Sequence, residues 1–237
     1  MINKKMLEMN LQSVQERIRS AAVRVGRDAK EIRLVVVSKG RSVEEIKILY
    51  ELGVRDFGEN RIEQAIIKTK SLEKLDDIRW HMIGHVQSRK AREVCQNFGY
   101  LHSLDSLKLA VRLDRFAGEE GRTLPVLLQF NVSGEDSKSG WYIDDEASWP
   151  DLHHEINQIA GLSNINIQGL MTMAPYDPDP ENSREYFKKL TKLRNHIQKI
   201  YPNDKIEELS MGMSGDFEVA VEEGATLLRV GSAIFDY

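Results

Sequence analysis

A single cysteine, Cys95, stands among 237 residues. One thiol excludes an internal disulfide, and with it the disulfide-stapled secreted scaffold; it fits a reducing compartment. Nothing in its surroundings marks Cys95 as reactive, and it reads as an inert residue on a helix face. No apolar run approaches the roughly 18 residues that a membrane-spanning helix needs. The opening stretch, MINKKMLEMNLQSVQERIRS, carries lysines but no continuous apolar core of the secretory type. A cytoplasmic chain without a membrane partner is the expectation. Charge of neither sign dominates: 33 Lys and Arg face 37 Asp and Glu, for a formal net charge of -4. A nucleic-acid surface usually needs a clear basic excess, so no nucleic-acid partner is expected. Pro/Gly-rich linkers and low-complexity tracts are missing too. The densest breaker stretch, Pro175-Tyr-Asp-Pro-Asp-Pro180, reads as one surface loop before a helix. The reading is therefore one domain over 1–237. At 41% hydrophobic residues it is long enough and apolar enough to bury a core without staples.

What is present is alternation. Short apolar or alternating runs recur at 34–38, 54–57, 79–83, 100–103, 126–132, 165–171, 206–210 and 226–230, eight candidate strands. Segments of helical period lie between them, at 43–52, 60–75, 88–98, 107–120, 145–160, 181–200 and 214–223, with one more helix over about 6–25. Strands alternating with helices imply parallel strands joined by helical crossovers. Eight of them in this length match a closed α/β architecture, the (β/α)8 TIM barrel of roughly 250 residues. The N-terminal helix would fill the place of the eighth outer helix. A doubly wound open sheet is the alternative. No Gly-x-Gly-x-x-Gly follows a strand, which counts against a dinucleotide site.

In such a barrel the working residues sit at the C-terminal strand ends. The first candidate strand ends at Lys39, with Gly40 behind it. The second runs into Phe57-Gly-Glu-Asn60, the third carries Trp80-His-Met-Ile-Gly84, and the fifth leads into Gly134-Glu-Asp-Ser-Lys-Ser-Gly140. The sixth ends in Gly169-Leu-Met-Thr-Met173, the seventh in Ser210-Met-Gly-Met-Ser-Gly-Asp216, the eighth in Arg229-Val-Gly-Ser-Ala233. Ser214 is a good helix N-cap, and the amides of Gly215 and Asp216 would face outward where the helix dipole is positive. Gly231 and Ser232 offer a second exposed backbone segment. Loops after the last two strands are the usual phosphate site of a TIM barrel, although capping and a tight turn explain the same residues.

Lys39 has two readings as well. It can snorkel its amine off the barrel rim. Or it is a Schiff-base lysine, whose amine, kept neutral by burial, is nucleophilic. The first and last strands are neighbours once a barrel closes. A cofactor with both an aldehyde and a phosphate, such as pyridoxal phosphate, would satisfy both ends.

These motifs, taken in order, resemble the pyridoxal phosphate homeostasis protein family over about 33–235. They are Val-Ser-Lys39, Phe-Gly-Glu-Asn60, Trp-His-Met-Ile-Gly84, the Ser-Lys-Ser-Gly140 segment, Gly-Leu-Met171, Ser-Met-Gly-Met-Ser214 and Arg-Val-Gly-Ser-Ala-Ile-Phe235. The resemblance implies a barrel like the N-terminal domain of alanine racemase. It implies pyridoxal 5'-phosphate held by Lys39 as an internal aldimine, with Ser214, Gly231 and Ser232 holding its phosphate and Ser210 and Met213 also among the cofactor-binding residues. Arg229 would face the pyridine nitrogen, and Asn60, His81 and Met171 would line the ring pocket. The implied role is a carrier or regulator of the intracellular cofactor pool rather than an enzyme. Its partners would be the cofactor and pyridoxal-phosphate-dependent apoenzymes, and its expected state a monomer. The chain departs from the family pattern at Arg61, at Arg89 and at the Asp236-Tyr237 end.

The remaining candidates take plainer readings. His81 and His85 straddle a strand end, so they do not form a metal pair on a helix. His153-His154 is a solvated helix start. Lys138 is a loop lysine that would otherwise act as a second acceptor for the aldehyde. Met171, Met173, Met211 and Met213 would pad the pocket mouth. Trp80 and Phe57 belong to the core. Two enzyme readings stay open beside the carrier. One is a single-domain racemase or lyase using the same cofactor. The other is a class I aldolase in which Lys39 attacks a sugar phosphate directly.

Overall fold

The computed structural model describes residues 4–135, 139–143, 146–201 and 205–236. Lys138 and Asp136 lie outside the described residues. A helix, α1 (Lys4–Arg24), comes first. Strand and helix then alternate: β1 (Arg33–Val37), α2 (Val43–Glu51), β2 (Asp56–Glu59), α3 (Ile62–Ser71), β3 (Arg79–Met82), α4 (Ala91–Asn97), β4 (Tyr100–Leu104) and α5 (Leu107–Glu119). The second half adds β5 (Leu124–Asn131), β6 (Trp141–Tyr142), α6 (Trp149–Ala160), β7 (Ile165–Met171), α7 (Arg184–Ile200), β8 (Glu208–Ser210), α8 (Phe217–Glu222), β9 (Leu227–Val230) and α9 (Ser232–Phe235).

All strand pairs are parallel. Eight strands run β1-β2-β3-β4-β5-β7-β8-β9 and close, because β9 pairs back with β1 and β4 with β5. This is the expected closed barrel. The two-residue β6 joins the end of β5, at Phe130 and Asn131, beyond the last β5–β7 pair at Gln129 and Met171.

Side chains alternate across each strand, so every strand feeds two cores. Val36, Phe57, Leu101, Leu128, Leu170, Leu209 and Val230 face outward into the main core under the helices. Trp80 and Phe57 belong to it, as expected. The apolar part of the barrel interior is much smaller: Val35, Leu127, Met171 and Leu227, with Met173 against them. Arg229 stands beside Val35 in register, Ser210 beside Met171 and Leu227, and His81 beside Gly58. A side chain on Gly58 would point at Val35 Cγ1, 3.1 Å away. Arg229, Ser210 and His81 therefore face the interior, where they are buried.

α1 buries Leu7, Leu11, Val14, Ile18, Ala21 and Ala22, spaced three or four apart as one helical face requires. It packs on α2, α8 and α9, and so takes the outer place beside the β9–β1 seam. Cys95 is buried on α4, and burial pushes its thiol up to about 11, which agrees with an inert residue.

Element ends differ from the sequence expectation in instructive ways. The second strand was expected at 54–57 and lies at Asp56–Glu59. Val54 instead closes the end of α2: its amide donates to Leu49 O at 3.0 Å, after Gly53 with φ +97°. α8 begins at Phe217 with Asp216 as its cap residue, not at Ser214. α9 and β6 are too short to leave a periodic signal.

Candidate functional site

A cleft of about 560 Å³ opens at the C-terminal ends of the barrel strands. Lys39, Asn60, Met213, Ser214, Arg229, Gly231 and Ser232, all expected around one site, line it together. His81, Met171 and Ser210 do not line it; they are fully buried one layer below. The alternation of β3, β7 and β8 turns these three inward, into the barrel interior beneath the residues that line the cleft. Met211 is also absent from the mouth. It faces outward into the main core, because it follows the inward-facing Ser210 by one residue.

Lys39 is held from behind. Ser38 N donates to Gly58 O at 3.0 Å, and Ser38 Oγ donates to Glu59 Oε1 at 2.6 Å. The buried ammonium of Lys68, on α3, donates to Ser38 O and to Glu59 Oε1, both at 2.6 Å. After Lys39 the chain must turn sharply. Gly40 takes φ +71°, which a residue with a side chain rarely adopts, and Arg41 N donates back to Ser38 O at 3.0 Å. The expectation of a buried amine is not met. Lys39 is exposed on the rim, because β1 ends at Val37 and the turn carries the lysine past the barrel wall.

On the other side of the cleft the two expected loops meet. Ser214 Oγ accepts from the amides of Gly231 and Ala233, each at 3.2 Å. Ser214 thus joins the β8 and β9 loops rather than capping α8. Met213 N donates to Asp216 Oδ1 at 2.6 Å, and the Asp216 amide donates to Met213 O at 3.1 Å. The Asp216 amide is therefore not free, contrary to the sequence expectation. Gly231 is required for close approach: a Cβ there would stand 3.2 Å from Val37 O.

Arg229 rises from β9 into the cleft floor and is buried. Its Nη1 donates to Ser210 Oγ at 2.5 Å and its Nη2 to Thr172 O at 2.8 Å. Among the described residues no carboxylate pairs with it. Burial pulls its guanidinium down to about 10, and the more distant Asp216 charge opposes that. A buried guanidinium that makes just these two hydrogen bonds among the described residues has N–H groups left for a ligand. Asn60 Oδ1, on the cleft wall, is buried and has no partner among the described residues.

Beneath Arg229 the hydrogen bonding continues. Ser210 Oγ lies 2.8 Å from His102 Nδ1, His102 Nε2 lies 2.9 Å from His81 Nδ1, and His81 Nε2 lies 2.9 Å from Asp56 Oδ1. Sequence reading singled out His81 and Ser210 but not Asp56 or His102. The only signal for those two was a polar residue recurring at inward positions of apolar strands. His85 is on the rim, with Nδ1 2.9 Å from Asp105 Oδ2. No group of three or more His, Cys, Asp or Glu able to hold a metal ion occurs among the described residues.

The cleft brings donors together on two sides, which suits an anionic ligand. Arg229 offers only donors, and the Ser214, Gly231 and Ser232 segment offers hydroxyls and amides. An amine stands across the cleft at Lys39. A closed parallel barrel with this rim is the architecture of the alanine racemase N-terminal domain, whose family model matches residues 9–237. A relative called pyridoxal phosphate homeostasis protein, from Synechocystis sp., is 40% identical over 204 residues, 86% of this chain and 90% of the relative. The solved structure of PipY from Synechococcus elongatus PCC7942 with PLP bound aligns with a TM-score of 0.80 at 38% identity, over 94% of this chain and 99% of that one. Alanine racemase of Clostridium difficile 630 shares the fold, with a TM-score of 0.72 at 15% identity over 98% of this chain and 60% of the enzyme. The chain belongs to the pyridoxal phosphate homeostasis protein family.

Proposed function

We propose that this chain binds pyridoxal 5'-phosphate in the rim cleft and acts in the cytoplasm as a carrier or regulator of that cofactor, as one domain over 1–237. The observation that carries the reading is convergence. Lys39 from β1, Arg229 from β9 and the Ser214–Gly231 junction are far apart in sequence and line one cleft. Lys39 would hold the aldehyde carbon. Ser214, Gly231 and Ser232 would hold the phosphate, with Met213 beside it. Asn60 would meet the ring, and Arg229 would donate to its nitrogen. His81, Met171 and Ser210 would act from below the ring rather than against it.

When bound, the cofactor supplies an electron sink for amino-acid carbanions. Arg229 works against that use. A donor-only cation facing the ring nitrogen disfavours a proton there, which weakens the sink. This supports binding and delivery without robust turnover, with apoenzymes as recipients and the chain acting as a monomer. The rival reading, a racemase or lyase, is favoured by His85, a cleft-lining imidazole oriented by Asp105.

Two measurements decide. Purified protein loaded with pyridoxal phosphate should stay yellow after the free cofactor is removed. Borohydride reduction and peptide mapping should then place the label on Lys39, and Lys39→Ala should lose both. Label on another residue would overturn the site. Amino-acid turnover at ordinary enzyme rates, of order 1 per second or faster, would overturn the carrier reading in favour of the enzyme.

A further inference from the structure

The barrel interior contains an unbranched row of polar side chains from one rim to the other. At the N-terminal rim, Arg79 Nε and Nη2 donate to the two carboxylate oxygens of Asp56 at 2.8 and 2.6 Å. Both residues line a second cavity there, of about 600 Å³. From Asp56 the row runs through His81, His102 and Ser210 to Arg229, whose other face is the cleft.

The proton positions in this row follow from its two ends. Asp56 accepts a clamp of arginine and imidazole donors that holds its carboxyl down at about 2 against the opposing effect of burial, so it is ionised. An ionised carboxylate can only accept, so His81 Nε2 carries the hydrogen. Burial lowers both imidazoles, His102 most of all, so each is neutral and has one bare nitrogen. His81 Nδ1 is therefore bare and accepts from His102 Nε2–H. His102 Nδ1 is then bare and accepts the Ser210 hydroxyl hydrogen. Ser210 Oγ is left to accept, and Arg229, which has only hydrogens to offer, donates to it. Every bond points the same way, from Arg229 to Asp56. Such chains polarise one another cooperatively in a low-dielectric interior.

We propose that Asp56, His81 and His102 are positioning residues for Arg229: through Ser210 they hold the orientation and charge of its guanidinium at the cleft from the far rim of the barrel. The proposal rests on the reading of that cleft as the pyridoxal phosphate site for its spectroscopic consequence, but not for the hydrogen-bond polarity itself. Among the described residues Arg229 has no carboxylate in contact, and this row links it to the Asp56 carboxylate at the far rim. Asp216 acts on Arg229 from the rim. Arg33 acts on both imidazoles, and Tyr100 stacks on His81 at 4.9 Å. Those groups stay the same in every variant below.

The first test uses the unloaded protein. With histidine nitrogens labelled, NMR at neutral pH should find both His81 and His102 as the Nε2–H tautomer, with bare Nδ1. Asp56→Asn should redistribute the tautomers of both. A Nδ1–H form at either histidine in the parent, or no change in Asp56→Asn, would overturn the proposal. If Asp56→Asn does not fold, Ser210→Ala serves: the His102 Nδ1 resonance should move, and an unmoved one overturns the proposal. The second test uses protein loaded with pyridoxal phosphate and follows the bound chromophore by absorption against pH. Ser210→Ala and Asp56→Asn should shift its midpoint in the same direction, by about half a unit or more, as altering one hydrogen bond to a charged group does. A shift in Ser210→Ala alone would show that the influence stops at Ser210, and the far-rim role fails. A parent that takes up no pyridoxal phosphate overturns the functional reading, and the histidine spectra then decide the row.

Discussion

Glu59 shows how much a single side chain behind the site matters. It is fully buried on the helix side of β2 and holds Ser38 Oγ and Lys68 Nζ on one carboxylate oxygen. Its other oxygen has no partner among the described residues. Lys68 completes the arrangement by reaching the Ser38 carbonyl just before Lys39. Breaking a buried pair by removing one partner leaves an uncompensated charge, which destabilises by about 3–5 kcal/mol. Lys68→Met should show that loss in denaturant unfolding. The double variant Lys68→Met/Glu59→Gln should recover part of it, as a double-mutant cycle measures. An additive double variant would mean that the two residues act independently. Nothing in the local sequence announces this pair. Lys68 sits in a run of helical polar residues, and only closing the barrel brings it to the end of β1.

At the level of elements the sequence was legible wherever periodicity ran long. All eight barrel strands fall within two residues of the expected runs. The one displaced by two residues at both ends, β2, has polar residues at its buried ends, Asp56 and Glu59, which bond to Arg79 and Lys68 of later elements. Apolar patterning cannot see such residues. The same blindness hid His102. Lys39, Arg229 and the Ser214 and Gly231 loops were legible because strand ends point to one rim. That His81, Met171 and Ser210 sit beneath the cleft follows from alternation, once the strand boundaries are known. The N-terminal helix was legible in role as well as place. Its stripe is apolar where it meets α8 and α9, so Leu11→Ala should destabilise by about 2–5 kcal/mol in thermal or denaturant unfolding. The exposed Lys4–Glu51 pair, which links α1 to α2, should contribute far less, because solvent screens it. Equal effects from Leu11→Ala and Lys4→Ala would contradict α1 as a packed outer helix.

The molecule as a whole carries an acid sensitivity written into its interior. His81 and His102 are neutral when folded and have pKa values below the ordinary 6.5. Below about pH 6.5 the unfolded chain binds protons there that the folded chain does not, so stability falls as pH falls. With both imidazoles still neutral the slope approaches about 2.7 kcal/mol per pH unit, two protons at about 1.36 each. Asp56, lowered from 3.8 to about 2, adds a further loss as pH falls from near 5 toward 2. Unfolding free energy measured against pH should therefore decline from mildly acidic conditions onward. His102→Phe should flatten the upper part of that decline, and an unchanged profile would speak against two neutral imidazoles.

The junction of the last two loops has one more consequence. Ser214 gives the Gly231 and Ala233 amides an oxygen of their own. On the proposed reading, a phosphate oxygen that met those two amides would displace the hydroxyl, swapping one acceptor for another and gaining only the difference. Departure is eased by the same swap, since the hydroxyl is at hand to swing back. Grip and release at this rim would then be set by a reversible substitution, a balance that suits the proposed carrier.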